Sequence, residues 1–248
     1  MIVATQKIRK PTSLRLAGIS VAAVLVGGAL ILRGPDPTQQ RLPEMAPTPI
    51  TMPDGRMLYV QRHEVTVEEW NACHADGACT LELFARAGFD PATTPATGLS
   101  YSDVTEYLHW INADAGNAFR LPTVSEWEHM ARSVLPKEPD PIFTDPSLSW
   151  ASAYLTKGHT PRALKPQGSF SKTPEGIADL DGNVWEWTQD CYAGTSEDVD
   201  PARCPAFFVG GEHVAAMSYL VRDPARGGCA VGTPPAHLGM RLVSNHRI

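Results

Sequence analysis

Between residues 135 and 180 the chain carries seven prolines and no apolar periodicity long enough to make a helix or a run of strands. Each proline removes a backbone donor and fixes φ, so this stretch cannot be continuous helix or central strand. It must be ordered loop, and a compact domain with that much loop needs staples. No repeat recurs at a period of 20 to 50 residues, which rules out solenoids and propellers. The expectation is an α+β fold with few helices, short strands and much ordered loop.

Three helix starts stand out against this background. Thr66 to Glu69 (TVEE) and Thr123 to Glu126 (TVSE) have a hydroxyl that can accept a free first-turn N–H and a glutamate that can return the bond. The first opens a helix with Trp70 and Cys73, the second one with Trp127, Met130, Ala131 and Val134 on one face. Ser102 or Asp103 is read as the cap of a third, with Val104, Tyr107, Leu108 and Ile111 inward. MLYVQRHEV (57–65) and GMRLV (239–243) read as strands.

Leu16 to Leu32 is an uncharged apolar run behind the basic stretch KIRKPTSLR. As a helix it spans roughly 25 Å, just enough to cross a bilayer. Four basic residues before it and one immediately after place the N-terminus in the cytoplasm and the rest outside. The run reaches Arg33 with no clear A-x-A-like site near its end, which favours an uncleaved anchor over a cleaved signal peptide. The expected organisation is a cytoplasmic basic segment (1–15), a transmembrane signal anchor (16–32), a Pro-rich linker (33–49) and one domain (50–248), located at the inner membrane with the domain in the periplasm.

Residues 1–48 hold six basic and two acidic groups, a net of +4, so residues 49–248 carry −10 of the chain's total of −6. A domain that acidic repels phosphate backbones, and nucleic acid is excluded as a partner. In an oxidising exterior, Cys73 and Cys79 around HADGA, and Cys191 and Cys204 around YAGTSEDVDPAR, read as two disulfides closing loops, with Cys229 left over. No CxxC, HxH or HExxH supports a zinc site.

HEVTVEEWNAC (63–73), FRLPTVSEWEHMAR (119–132) and GIADLDGNVWEWTQD (176–190), followed in order by a Gly-Gly and GMRLV, together resemble the sulfatase-modifying factor family, which includes the formylglycine-generating enzymes. The resemblance implies a C-type-lectin-like fold. It also implies a calcium loop whose ligands here are the side chains of Asp179 and Glu186 and the carbonyls of Gly182 and Val184; a hard cation takes such oxygens. Core tryptophans without an ion are the plainer reading of the same segment. A second family calcium site does not align to residues 149–176.

Formylglycine formation in the family depends on two copper(I)-binding cysteines after a Gly-Gly-Ser. The gapless counterpart is GGEHVAAMSYLVR (210–222), where those cysteine positions are Ala215 and Leu220 and the serine position is Glu212. Neither side chain can hold copper, a soft ion that needs thiolates. Glu212, His213, Tyr219 and Arg222 are what could line a residual cleft, although Glu212 and His213, as neighbours in a strand, point to opposite faces.

The expected function is therefore a membrane-anchored accessory or binding protein for an exported partner, with structural calcium and no copper. By analogy with relatives, it would serve a periplasmic maturation or redox system such as the nitrite reductases of denitrification. The alternatives are an oxidase of formylglycine-generating or non-haem-iron type acting on an exported protein or small molecule, and a lectin-like saccharide binder.

Overall fold

The computed structural model describes residues 42–113, 119–135, 163–193, 203–223 and 237–248, with 142–145, 148, 151–152 and 155. The basic segment, the apolar run, the linker up to residue 41 and Cys229 lie outside the described residues. Among the described residues no helix is long and apolar enough to cross a membrane.

Both TVEE and TVSE form capping boxes. In α1 (Val67–Ala75) the Thr66 hydroxyl accepts from Glu69 N–H at 3.1 Å and the Glu69 carboxylate accepts from Thr66 N–H at 2.7 Å. In α3 (Val124–Ala131) the distances for Thr123 and Glu126 are 3.1 and 2.8 Å. The middle helix, α2 (Tyr101–Ile111), is capped by Ser100 rather than by Ser102 or Asp103. Asp103 is instead the returning acid of the box, at 2.8 Å from Ser100 N–H, a place where glutamate is the commoner residue.

Among the described residues eight short strands make two sheets. The first, in the order β1-β2-β8-β3, joins β1 (Ile50–Thr51), β2 (Met57–Val60), β8 (Val243–Ser244) and β3 (Phe119–Arg120), all antiparallel. The second, β6-β5-β4-β7, joins β6 (Val214–Ser218), β5 (Ala206–Gly210), β4 (Trp185–Tyr192) and β7 (Leu238–Gly239), with β7 parallel to β4. The strand expected over 57–65 stops at Val60, where Gln61 leaves the ladder to bridge Met45. The GMRLV block is divided: Gly239 ends β7, Val243 begins β8, and Met240, Arg241 and Leu242 cross from one sheet to the other. That crossing carries Arg241 into the interior, where it is fully buried.

Contacts with the domain begin ahead of Ile50, inside the segment read as linker. Ala46 N–H donates to Val60 O at 2.7 Å, Arg62 N–H donates to Glu44 O at 2.8 Å, and the Arg62 guanidinium pairs with the Glu44 carboxylate at 2.6 Å. One apolar cluster holds Trp70, Tyr107, Trp187 and Met240; the other holds Leu58, Trp127, Ile177 and Val243. The buried indoles have acceptors, as buried Trp requires: Trp70 donates to Leu81 O at 2.7 Å and Trp187 to Leu99 O at 2.8 Å. The two disulfides expected from the sequence, Cys73–Cys79 and Cys191–Cys204, are closed, with Cα separations of 5.3 and 5.9 Å.

Candidate functional site

Gly210 and Gly211, at the end of β5, lie flat against two indoles. A Cβ on Gly210 would sit 2.2 Å from Trp127 Cδ2, and one on Gly211 would sit 2.5 Å from Trp185 Cδ2. Only residues without a side chain allow that approach. Thus pinned, Trp127 donates from Nε1 to a carboxylate oxygen of Glu186 at 2.9 Å, linking α3 to β4.

The other oxygen of Glu186 accepts from Arg241 Nε at 2.9 Å and Nη2 at 2.8 Å. Arg241 also donates to the carbonyls of Gln61 and Arg62 at 3.0 and 2.8 Å and of Ala178 at 2.8 Å, so all five of its N–H groups are used. Glu64 stands beside them, its carboxylate 3.8 Å from Arg241 Nη2 and fully buried. Neither Glu64 oxygen has a hydrogen-bond partner. Burial pushes its carboxyl up to about 8; Arg241 opposes the shift, and the negative charges of Glu186 and Asp179 add to it.

Asp179 is buried in a left-handed conformation, φ 64°, and its carboxylate accepts the N–H groups of Gly168 and of Phe170, the latter at 2.8 Å. Gly182 turns the loop at φ 106°, and Val184 is buried next to β4. Among the described residues no three His, Cys, Asp or Glu side chains converge so as to hold a metal ion. A calcium ion here would therefore rest on the two acids Asp179 and Glu186 with loop carbonyls. The charge distribution fits a cation, because the two buried carboxylates Asp179 and Glu186 are balanced by a single guanidinium, Arg241, which also faces Glu64 at 3.8 Å. Each carboxylate also offers about four acceptor positions, more than the N–H groups present use. Calcium would neutralise this excess and fix the loop that carries Trp185 and Trp187.

At Ala215 and Leu220, which the sequence resemblance aligns with copper-binding cysteines, the side chains offer no metal donors. Ala215 lies in β6, 2% exposed, opposite Val209 and within the larger apolar cluster, whereas Leu220 is 63% exposed beyond the strand's end. The remaining candidates point to separate tasks. His213 meets the Trp185 ring edge-on at 4.6 Å, and Glu212 is exposed. Arg222 clasps the buried Asp103 through Nε at 2.8 Å and Nη2 at 2.6 Å, while Tyr219 is half-exposed. Burial alone would raise the Asp103 carboxyl; the bonds from Arg222 and Ser100 outweigh it and hold it below the usual range. Trp185 and Trp187, 7% and 0% exposed, present no platform to a sugar. The sequence does not reveal the roles of Glu64, Arg241 and Trp127 in this network, although each lies inside one of the blocks that carry the family resemblance, and Trp127 reads there only as a core residue.

The chain matches the sulfatase-modifying factor enzyme 1-like domain over residues 20–246, and it belongs to that family. It is 28% identical over 206 residues to the formylglycine-generating enzyme of Mycobacterium tuberculosis, covering 68% of this chain and 64% of that enzyme. It is 26% identical over 166 residues to the bovine inactive C-alpha-formylglycine-generating enzyme 2, covering 60% of this chain and 50% of that protein. The chain thus spans between half and two thirds of the length of these relatives. Among solved structures, CarF shares the fold with a TM-score of 0.50 and 16% identity, over 75% of this chain and 85% of that one.

Proposed function

We propose that this protein is a formylglycine-generating-enzyme-like domain that does not form formylglycine, and that it serves as a membrane-tethered accessory or binding protein for an exported protein. The observation that carries the reading is the pair Ala215 and Leu220: one side chain is a buried methyl, the other an exposed alkyl group, and neither can bind a soft metal. Identity alone does not discriminate, since a relative named formylglycine-generating enzyme and one named inactive C-alpha-formylglycine-generating enzyme 2 match at 28% and 26%.

The apolar run Leu16 to Leu32 supplies the anchor and the basic KIRK flank the orientation, N-terminus inside. Calcium, held by Asp179, Glu186 and the carbonyls of Gly182 and Val184, serves as a structural ion. A periplasmic maturation or redox system, such as that of nitrite reductase, is the proposed setting.

The test is direct. The purified protein is incubated with copper(I), a reductant, oxygen and a cysteine-containing sulfatase peptide, and the peptide is examined by mass spectrometry. No aldehyde is expected. An aldehyde absent from a heat-killed control would overturn the reading. In the cell, a C-terminal reporter active only outside the cytoplasm should be active and membrane-bound; a cytoplasmic reporter signal would refute the topology.

A further inference from the structure

A cleft of about 360 Å³ opens between the start of α1, the loop 83–97 and His237. Its floor is Val67 and Pro95, both buried, and its wall includes Phe89, half-buried, and Phe84, which is 80% exposed. The Phe84 ring borders the hollow, so a small apolar body seated there would cover part of it. The volume holds about a dozen water-sized groups, which suits one small organic body rather than a chain segment of several residues.

The walls are fixed in place without a ligand. Leu83 exchanges two hydrogen bonds with the Asn71 side chain, 3.0 Å from its N–H and 2.8 Å to its carbonyl. Val67 N–H donates to Thr94 O at 2.9 Å and Ala96 N–H to Val65 O at 2.7 Å. A preformed cleft of this kind loses little conformational entropy on binding.

Arg86 lines the same cleft. Arg62, Arg120, Arg222 and Arg241 each face a carboxylate. The Arg86 side chain is exposed and has no hydrogen-bond or ion-pair partner among the described residues. In a domain of net charge −10, an unpaired guanidinium at the edge of an apolar hollow selects for an anion, and its planar fork matches a carboxylate with two parallel bonds.

We propose that this cleft binds an apolar group ending in a carboxylate, with the aryl or alkyl body between Phe84 and Phe89 and the carboxylate on Arg86. The inference is independent of the function proposed above, since no residue of the cleft belongs to the calcium loop or to the former copper positions. A free organic acid and the C-terminal residue of a peptide share this chemistry.

Calorimetric titration of the full-length protein distinguishes them. The probes are 4-phenylbutyrate with its neutral alcohol, and acetyl-Ala-Phe with its C-terminal amide. At least one carboxylate is expected to bind more tightly than its uncharged counterpart, on the order of tenfold, the worth of one charge-assisted contact. Arg86→Gln should abolish that preference while leaving the uncharged probe unaffected, and Phe84→Ser should weaken both. Both side chains are exposed, so the fold should survive, as circular dichroism would verify. Binding of only the free acid, or only the peptide, names the source. Failure of both carboxylates to bind at millimolar concentration, or an unchanged preference in Arg86→Gln, overturns the proposal.

Discussion

Arg241 places two nitrogens, Nε and Nη2, on a single carboxylate oxygen of Glu186, at 2.9 and 2.8 Å, with both residues buried. The pair joins the GNVWEW block to the GMRLV block across 55 residues of chain. Removing one partner of a buried pair leaves the other charge uncompensated and typically costs about 3–5 kcal/mol. Arg241→Met should therefore lose on that order in urea denaturation, with three acids then buried together. A loss below about 1 kcal/mol would show that the guanidinium is not the charge balance.

Glu64 should make the domain lose stability as pH rises from the acid range to about 8. An unfolded glutamate titrates near 4.3, whereas burial, against the pull of Arg241 and with the push of Glu186 and Asp179, raises the folded carboxyl to about 8. Between these values the folded chain keeps a proton that the unfolded chain has released. Its contribution is complete below the unfolded value and is lost as pH rises toward the folded one. Glu64→Gln mimics the protonated acid and should flatten that decline, measured as unfolding free energy at a series of pH values across the window. An unchanged slope in the variant would mean that Glu64 is ionised in the folded state.

Gly210→Ala should be among the most damaging small changes in the chain. The new methyl would lie 2.2 Å from Trp127 Cδ2, so the indole must move, and its bond to Glu186 with it. Overpacking of this kind costs roughly 1–3 kcal/mol or more. A melting temperature equal to that of the parent would contradict the contact.

Calcium should raise the melting temperature and chelation lower it, because an ion bound only by the native state stabilises that state by mass action. In Asp179→Asn most of the calcium-dependent shift should vanish. If the parent itself shows no shift, the loop is held by its internal bonds alone.

Peptide mapping without reduction should recover Cys73 linked to Cys79 and Cys191 linked to Cys204. Each closure is worth on the order of 2–4 kcal/mol. A peptide joining Cys229 to any of these would refute the pairing.

The local grammar of the chain was readable wherever one residue could report on its neighbours. Thr66 and Thr123 announced their helices because hydroxyl and acid sit three residues apart on the same strand of text. Ser100 is harder to read as a cap because its returning acid is the shorter Asp103, and Ser102 and Asp103 themselves are capping residue types. The disulfides followed from Cys spacing and loop composition. What escaped was charge placed by tertiary crossing. Arg241 looks like the polar member of an alternating strand, and only the passage of residues 240–242 between two sheets turns it inward. Glu64 likewise occupies a strand-like HEV segment, and nothing in its neighbours tells that both its oxygens go without a donor. The glycine pair could have been found: two consecutive glycines ending a strand, in a chain with several interior tryptophans, mark a backbone pressed on ring faces.

The first sheet has a temporal consequence. Its second and third members in space, β2 at Met57–Val60 and β8 at Val243–Ser244, come from opposite ends of the domain, and β3 reaches the sheet only through β8. A chain emerging N-terminus first cannot assemble that layer until residue 244 has been delivered. The early segments must wait, and their loop-closure entropy is repaid late. Assembly of this layer is thus gated by synthesis of Val243 and Ser244, and their deletion would leave β2 and β3 without the strand that joins them.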